Sequence, residues 1–244
     1  MELRNQGVRP RVWFGDRWAS SAYDLFEENV RYFGALLPLA EDEDPFAVLD
    51  AGRAPSLHEL RLHNGTVWRW NRPVYDVADG VAHLRLENRV LPAGPTAVDA
   101  VANAVFFYGL IRALTNAEHP PWQQMSFDAA EANFTAGARH GIEAPLYWPG
   151  LGTVPAHELV LSTMLPLAQK GLADWGVDAA VIDHYLSVIE QRCVRRRTGA
   201  TWQTDVVKGL ERAGASRQTA MHRMLERYVE GMEANEPVHC WPVR

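Results

Sequence analysis

A chain of 244 residues, 47% hydrophobic and 22% charged, has the composition of an ordinary globular protein with material for a sizeable core, which excludes disordered and fibrous classes. Its net charge of −6 argues against a general nucleic-acid binder, because affinity for a phosphate backbone rests on clustered Lys and Arg. Two cysteines, Cys193 and Cys240, are too few and too far apart in sequence for a disulfide framework or a zinc site, and read as free buried thiols of a reducing compartment.

The N-terminus shows no basic-plus-apolar leader, and no apolar run approaches the length of about 18 residues that a membrane span requires, so a cytoplasmic chain with no membrane partner is expected. Arg11 to Gly15 reads as a short strand. Ser20 or Ser21 then opens a helix that carries Leu25, Val30, Phe33 and Leu36–Leu37 on its apolar positions. Glu27 and Glu28 on it are either metal ligands or acidic residues that favour the helix dipole. The acidic run Glu41 to Pro45 ends this element as a solvated loop.

Two alternating segments flank Asp79-Gly80, a pair that favours a tight hairpin turn, and predict strands over about 66–78 and 81–90. With a two-residue loop, facing residues have numbers that sum to 159. Trp70, Arg72, Val74 and Asp76 then share one face with His83, Arg85, Glu87 and Arg89, while Tyr75, Val77, Leu84, Leu86 and Val90 form the other, a core side. The charged face is either a solvated sheet surface or the lining of a polar cavity.

Pro92, Gly94 and Pro95 end the sheet, and Thr96 is a natural N-cap for a helix that is apolar on nearly every side and therefore expected to be buried all round. Asp99 and Asn103 on it either face a polar site or are exposed. Helices follow at about 126–139, 155–174, 177–194, 201–213 and 216–234, with Ser126 and Ser216 as openings. Arg195, Arg196 and Arg197 either complement the dipole of the preceding helix or form a phosphate-contacting loop. The nine histidines show no H-x-x-H spacing, and no G-x-S-x-G elbow marks a nucleophilic serine. No repeat or linker divides the chain, so 1–244 reads as a single α+β domain, a sheet-bearing part followed by a helical half.

HNGTVWRWNRP (63–73), with Trp70 ahead of Arg72 and Pro73, and HLRLENRVLPAGPT (83–96), with Glu87-Asn88-Arg89, resemble the two sheet strands of the glutamate-cysteine ligase family in its bacterial carboxylate-amine ligase branch; RRRTGATWQ (195–203) is similar to a third element of that family. The resemblance implies an antiparallel sheet that is part of a glutamine synthetase/glutamate-cysteine ligase-like barrel, with helices packed around it and the active site on its concave face. It implies ATP-dependent amide formation from a small carboxylate and an amine through an acyl phosphate, with ATP and Mg²⁺ as cofactors. Glu87 is then the metal-ligand candidate, Arg89 and Arg72 the catalytic candidates, and Arg89, Arg197 and Trp70 the nucleotide-binding ones, with Trp68 beside Trp70 as an apolar wall. The match falls on the C-terminal half of such a ligase, whose other half brings further acidic ligands. The chain is therefore expected to work with a second polypeptide, to build a composite site as a homo-oligomer, or to persist as a noncatalytic nucleotide- or partner-binding module.

Overall fold

The computed structural model describes residues 12–243. The strand expected at 11–15 falls partly outside them, and residues 12–15 form none. The chain divides into two compact units, one up to Val90 and one from Leu91 onward.

In the first unit, α1 (Ala22–Tyr32) is capped by the Ser21 hydroxyl, which accepts the Asp24 N–H. It stops short of the expected Leu37 because Phe33 is extended and Gly34 follows. The acidic run does more than meet solvent. Asp44 caps the short α2 (Pro45–Asp50), and the Glu43 carboxylate accepts the N–H groups of Ser56 and Leu57. The next helix, α3 (His58–Gly65), was not anticipated. It ends at Gly65, and the strand expected from about 66 starts later: β1 runs from Asn71 to Ala78, paired antiparallel with β2 (Val81–Asn88). The register is the expected one, with Arg72 facing Glu87 and Tyr75 facing Leu84, because Asp79 and Gly80 both adopt the positive φ that a two-residue turn demands.

The expected core side of this hairpin is only partly covered. Tyr75 is half-buried and donates its hydroxyl to the Pro55 carbonyl at 2.6 Å. Leu84 and Leu86, however, are 60% and 63% exposed. Between the hairpin and α1 lies an open apolar groove of about 680 Å³ lined by Tyr23, Phe26, Val30, Leu60, Tyr75 and Leu84. Beside Phe33 and Val67, this unit buries a polar network. Arg69 meets Glu28 at 2.5 Å and Asn29 at 3.2 Å, Asn29 donates to Asn64 at 2.8 Å, and Asn64 donates to the Pro73 carbonyl. Trp13 stacks 5.2 Å from the Arg69 guanidinium.

The second unit is helical. α4 (Ala97–Thr115), capped by Thr96 as expected, packs on α8 (Leu165–Asp174) and α9 (Ala179–Val194). It is not buried all round: Asp99, Ala102 and Gly109 are, whereas Val101, Tyr108 and Ile111 are exposed. By length and composition it is also the one helix among the described residues apolar enough to cross a membrane, a correction to the reading that no run approaches that length. Then come α5 (Pro121–Gln124), α6 (Phe127–His140) opened by Ser126, and a small hairpin of β3 (Pro145–Trp148) and β4 (Gly152–Pro155) that alternation did not reveal.

The helix expected over 155–174 is α7 (Ala156–Leu159) running through a π-turn at Val160–Met164 into α8. Pro166 explains the widening, since it has no N–H for the regular ladder and its ring crowds the preceding turn. α10 (Gly199–Arg212) and α11 (Arg217–Ala234), the latter capped by Ser216, close a core of Trp202, Val206, Val207, Ala220, Met224 and Val238 around Trp241. Helices with two separate antiparallel hairpins make a mixed α and β chain, in keeping with the α+β class.

Candidate functional site

The polar face of the β1–β2 hairpin gathers the residues that the sequence singled out. Cross-strand pairing brings the Arg72 guanidinium onto one Glu87 carboxylate oxygen, Nε at 2.8 Å and Nη2 at 2.6 Å. Arg89 lies one step beyond the ladder, Nε 3.9 Å from the other Glu87 oxygen and its guanidinium 5.4 Å from the Trp68 ring centroid. The Arg89 N–H donates to the Trp70 carbonyl at 2.8 Å, which ties Trp70 to the same end of the sheet. A second row follows along the strands. Asp76 meets Arg61 at 3.2 Å and Arg85 at 3.5 Å, and its carboxyl is held below the usual range by the Val77 N–H and by those two guanidiniums.

Four guanidiniums (Arg61, Arg72, Arg85, Arg89) thus stand against two carboxylates, which leaves this face net positive. The side chains of Arg72, Arg89 and Glu87 are 23%, 31% and 40% exposed, intermediate between a fully solvated surface and a closed cavity. Chemically the face can receive an anion with planar oxygens, because guanidinium forks match carboxylate and phosphate geometry, and Trp68 offers an exposed ring on which a base or a cation can stack.

The fit to Mg²⁺ is poor. Among the described residues no three His, Cys, Asp or Glu side chains cluster as a metal site. Glu87 is engaged by Arg72, and the alternative ligands are engaged as well: Glu27 pairs with Arg31 at 2.6 Å and Glu28 with Arg69 at 2.5 Å. Among the described residues, the two carboxylates of this face, Glu87 and Asp76, are both engaged by guanidiniums.

Arg197 belongs to the second unit, and there the arginine triplet fastens the C-terminal segment. Arg195 donates to the His239 carbonyl at 3.2 Å and Arg197 to the Trp241 carbonyl at 3.0 Å, while Arg196 contacts His157 at 3.0 Å and Glu143 at 3.6 Å. Thr198 then opens α10 with a capping box to Thr201.

Asp99 and Asn103, read as facing a polar site or solvent, belong instead to a network with Arg192 that sequence reasoning missed. Asp99, fully buried, accepts Arg192 at 2.6 Å, the Thr96 hydroxyl at 2.9 Å and the Val238 N–H at 3.1 Å, and Arg192 also donates to Asn103 at 2.6 Å. The available signal was a single carboxylate in an otherwise apolar helix, which a buried position permits only when paired. Against this knot sits His239, buried, with Nδ1 lacking a hydrogen-bond partner. Burial, then the Arg195 charge, hold its pKa below the usual value despite the pull of Asp99. Cys193 is buried with its thiol pushed up to about 11 by desolvation, whereas Cys240 is exposed, contrary to the expectation that both are buried.

No family model, curated protein or solved structure matches the chain.

Proposed function

We propose that the polar face of the β1–β2 hairpin is part of the active site of an ATP-dependent carboxylate–amine ligase of the glutamate-cysteine ligase-like kind, acting in the cytoplasm. The observation that supports this reading is the Arg72–Glu87 pair with Arg89 beside it over Trp68, a half-exposed, net-positive face built from the residues that carry the family resemblance.

In such a reaction a substrate carboxylate oxygen attacks the γ-phosphorus of ATP and ADP leaves; the amine nitrogen then attacks the acyl carbon, the C–O bond to phosphate breaks, and an amide, phosphate and a proton result. Arg89 and Arg72 hold the transferring phosphoryl group and the carboxylate in line, where positioning and charge neutralisation supply most of the catalysis. Trp68 and Trp70 wall the site. Glu87 would be the one ligand this face gives to a nucleotide-bound Mg²⁺, so further carboxylates would have to come from another polypeptide or segment. Two features support that completion. Among the described residues each strand of this sheet pairs with a strand on one side only, a state folded proteins seldom leave uncovered, and Leu84 and Leu86 are exposed. On this reading the hairpin is two strands of a larger antiparallel barrel sheet.

An isotope experiment tests the chemistry. With the completing partner present, ATP and a carboxylate labelled with heavy oxygen should release phosphate carrying one labelled oxygen, dependent on added amine. Phosphate release with no label transferred would show hydrolysis instead and remove the ligase reading; nucleotide binding without turnover would leave the noncatalytic nucleotide-binding module.

A further inference from the structure

α11 buries Ala220 and Met224 in the second unit, but an adjacent stripe of Met221, Leu225, Val229 and Met232 points to solvent, each residue 37% to 56% exposed. The spacing of four, four and three keeps the stripe on one side of the helix over roughly 16 Å of its length. Four large apolar side chains in a row are more than isolated surface residues and mark a contact site.

The charges on the same helix indicate what covers it. Residues 217–225 carry Arg217 and Arg223 and no carboxylate; residues 226–234 carry Glu226, Glu230 and Glu233 against Arg227. The first half is thus at +2 and the second at −2. This order opposes the helix's own dipole, which favours acids at the N-terminus and bases at the C-terminus, and neither the first turn nor the last turn corrects it.

We infer that α11 is the seam of a homodimer in which a second copy of the chain packs α11 against α11 antiparallel. Reversal sets the basic end of each helix beside the acidic end of the other and beside the opposite pole of its dipole, whereas parallel pairing would place like charges together. The stripe is self-complementary under the same reversal. Read backwards it is Met, Val, Leu, Met, so Met221 meets Met232 of the second copy while Leu225 meets its Val229, and both pairs share one two-fold axis near residue 227, as an isologous interface requires. The inference concerns the second unit alone and holds or fails independently of the ligase reading.

Sedimentation equilibrium of the full chain tests it across the micromolar range. A reversible dimer is expected, and Leu225→Glu should weaken it by about a hundredfold or more, because the substitution enters the interface twice and removes a buried leucine each time. At concentrations low enough that the parent is also monomeric, the variant should melt as the parent does, since Leu225 is exposed in the single chain. Orientation is read by oxidation in a Cys240→Ser background: Met221→Cys mixed with Met232→Cys should cross-link between chains, while neither variant alone cross-links to itself. A monomer throughout the range, a dimer indifferent to Leu225→Glu, or self-cross-linking of Met221→Cys would each overturn the inference.

Discussion

Asp99 and Glu87 are both carboxylates paired with arginine, and their surroundings assign them opposite roles. Asp99 is fully buried and saturated by Arg192, Thr96 and Val238, so Asp99→Ala strands a nearly buried guanidinium and should cost about 3–5 kcal/mol, read as a lowered denaturant midpoint. Glu87 is half-exposed, and losing its pair should change stability by no more than about 1 kcal/mol; conservative substitutions there report on binding rather than folding.

His239 adds a pH dependence. Its folded-state pKa lies below the reference value of 6.5 because burial and neighbouring arginines disfavour the cation, so the unfolded chain binds the proton more readily. The stabilisation is complete above the unfolded value and declines as pH falls through the folded one. His239→Gln should flatten that decline in urea midpoints measured from mildly alkaline to mildly acidic pH. A slope unchanged by the substitution would assign it to other groups. The carboxylates of Asp24, Glu43, Glu59 and Asp76, whose pKa values are lowered, act only at more acidic pH.

At the scale of elements, the closest packing is the crossing of α4 and α8. A β-carbon on Gly109 would stand 2.5 Å from the Ala168 carbonyl oxygen, and one on Gly171 would strike the Gly109 carbonyl. Alanine at either position therefore destabilises, by about 1–3 kcal/mol, even though alanine is the better helix former; chemical denaturation of Gly171→Ala checks this, and a stabilised variant would contradict it.

The same elements show what was legible in the sequence. Asp79-Gly80 imposed the hairpin register, and Thr96, Ser126 and Ser216 marked helix starts, because caps and tight turns are local chemistry. α3 and the β3–β4 hairpin were hidden, since eight residues of weak amphipathicity and strands of four residues give too short a period to detect. The full burial expected of α4 failed because composition states how apolar a helix is without stating which faces find neighbours. For the candidate site, the pairing of Arg72 with Glu87 followed from register, whereas the Asp99 knot joins residues 93 apart and no local pattern announces it.

At the scale of the whole molecule, the two units are built differently. The helical unit holds three apolar clusters, while the first unit relies on a buried polar network and leaves Leu84 and Leu86 open. The hairpin thus has one charged face and one apolar face that is only partly covered, which is what the proposed completion of the sheet by another segment requires.

Calorimetric titration of Mg-ATP into the chain, together with any candidate partner proposed to complete the sheet, tests the central claim most directly. The account predicts saturable binding by the parent, weakened by Glu87→Gln through loss of a charged ligand and by Arg89→Lys, since a point charge cannot replace a guanidinium fork on phosphate, with folding intact in both. Equal affinities for the parent and both variants in that assembly would contradict the account and return the hairpin's charged face to solvent.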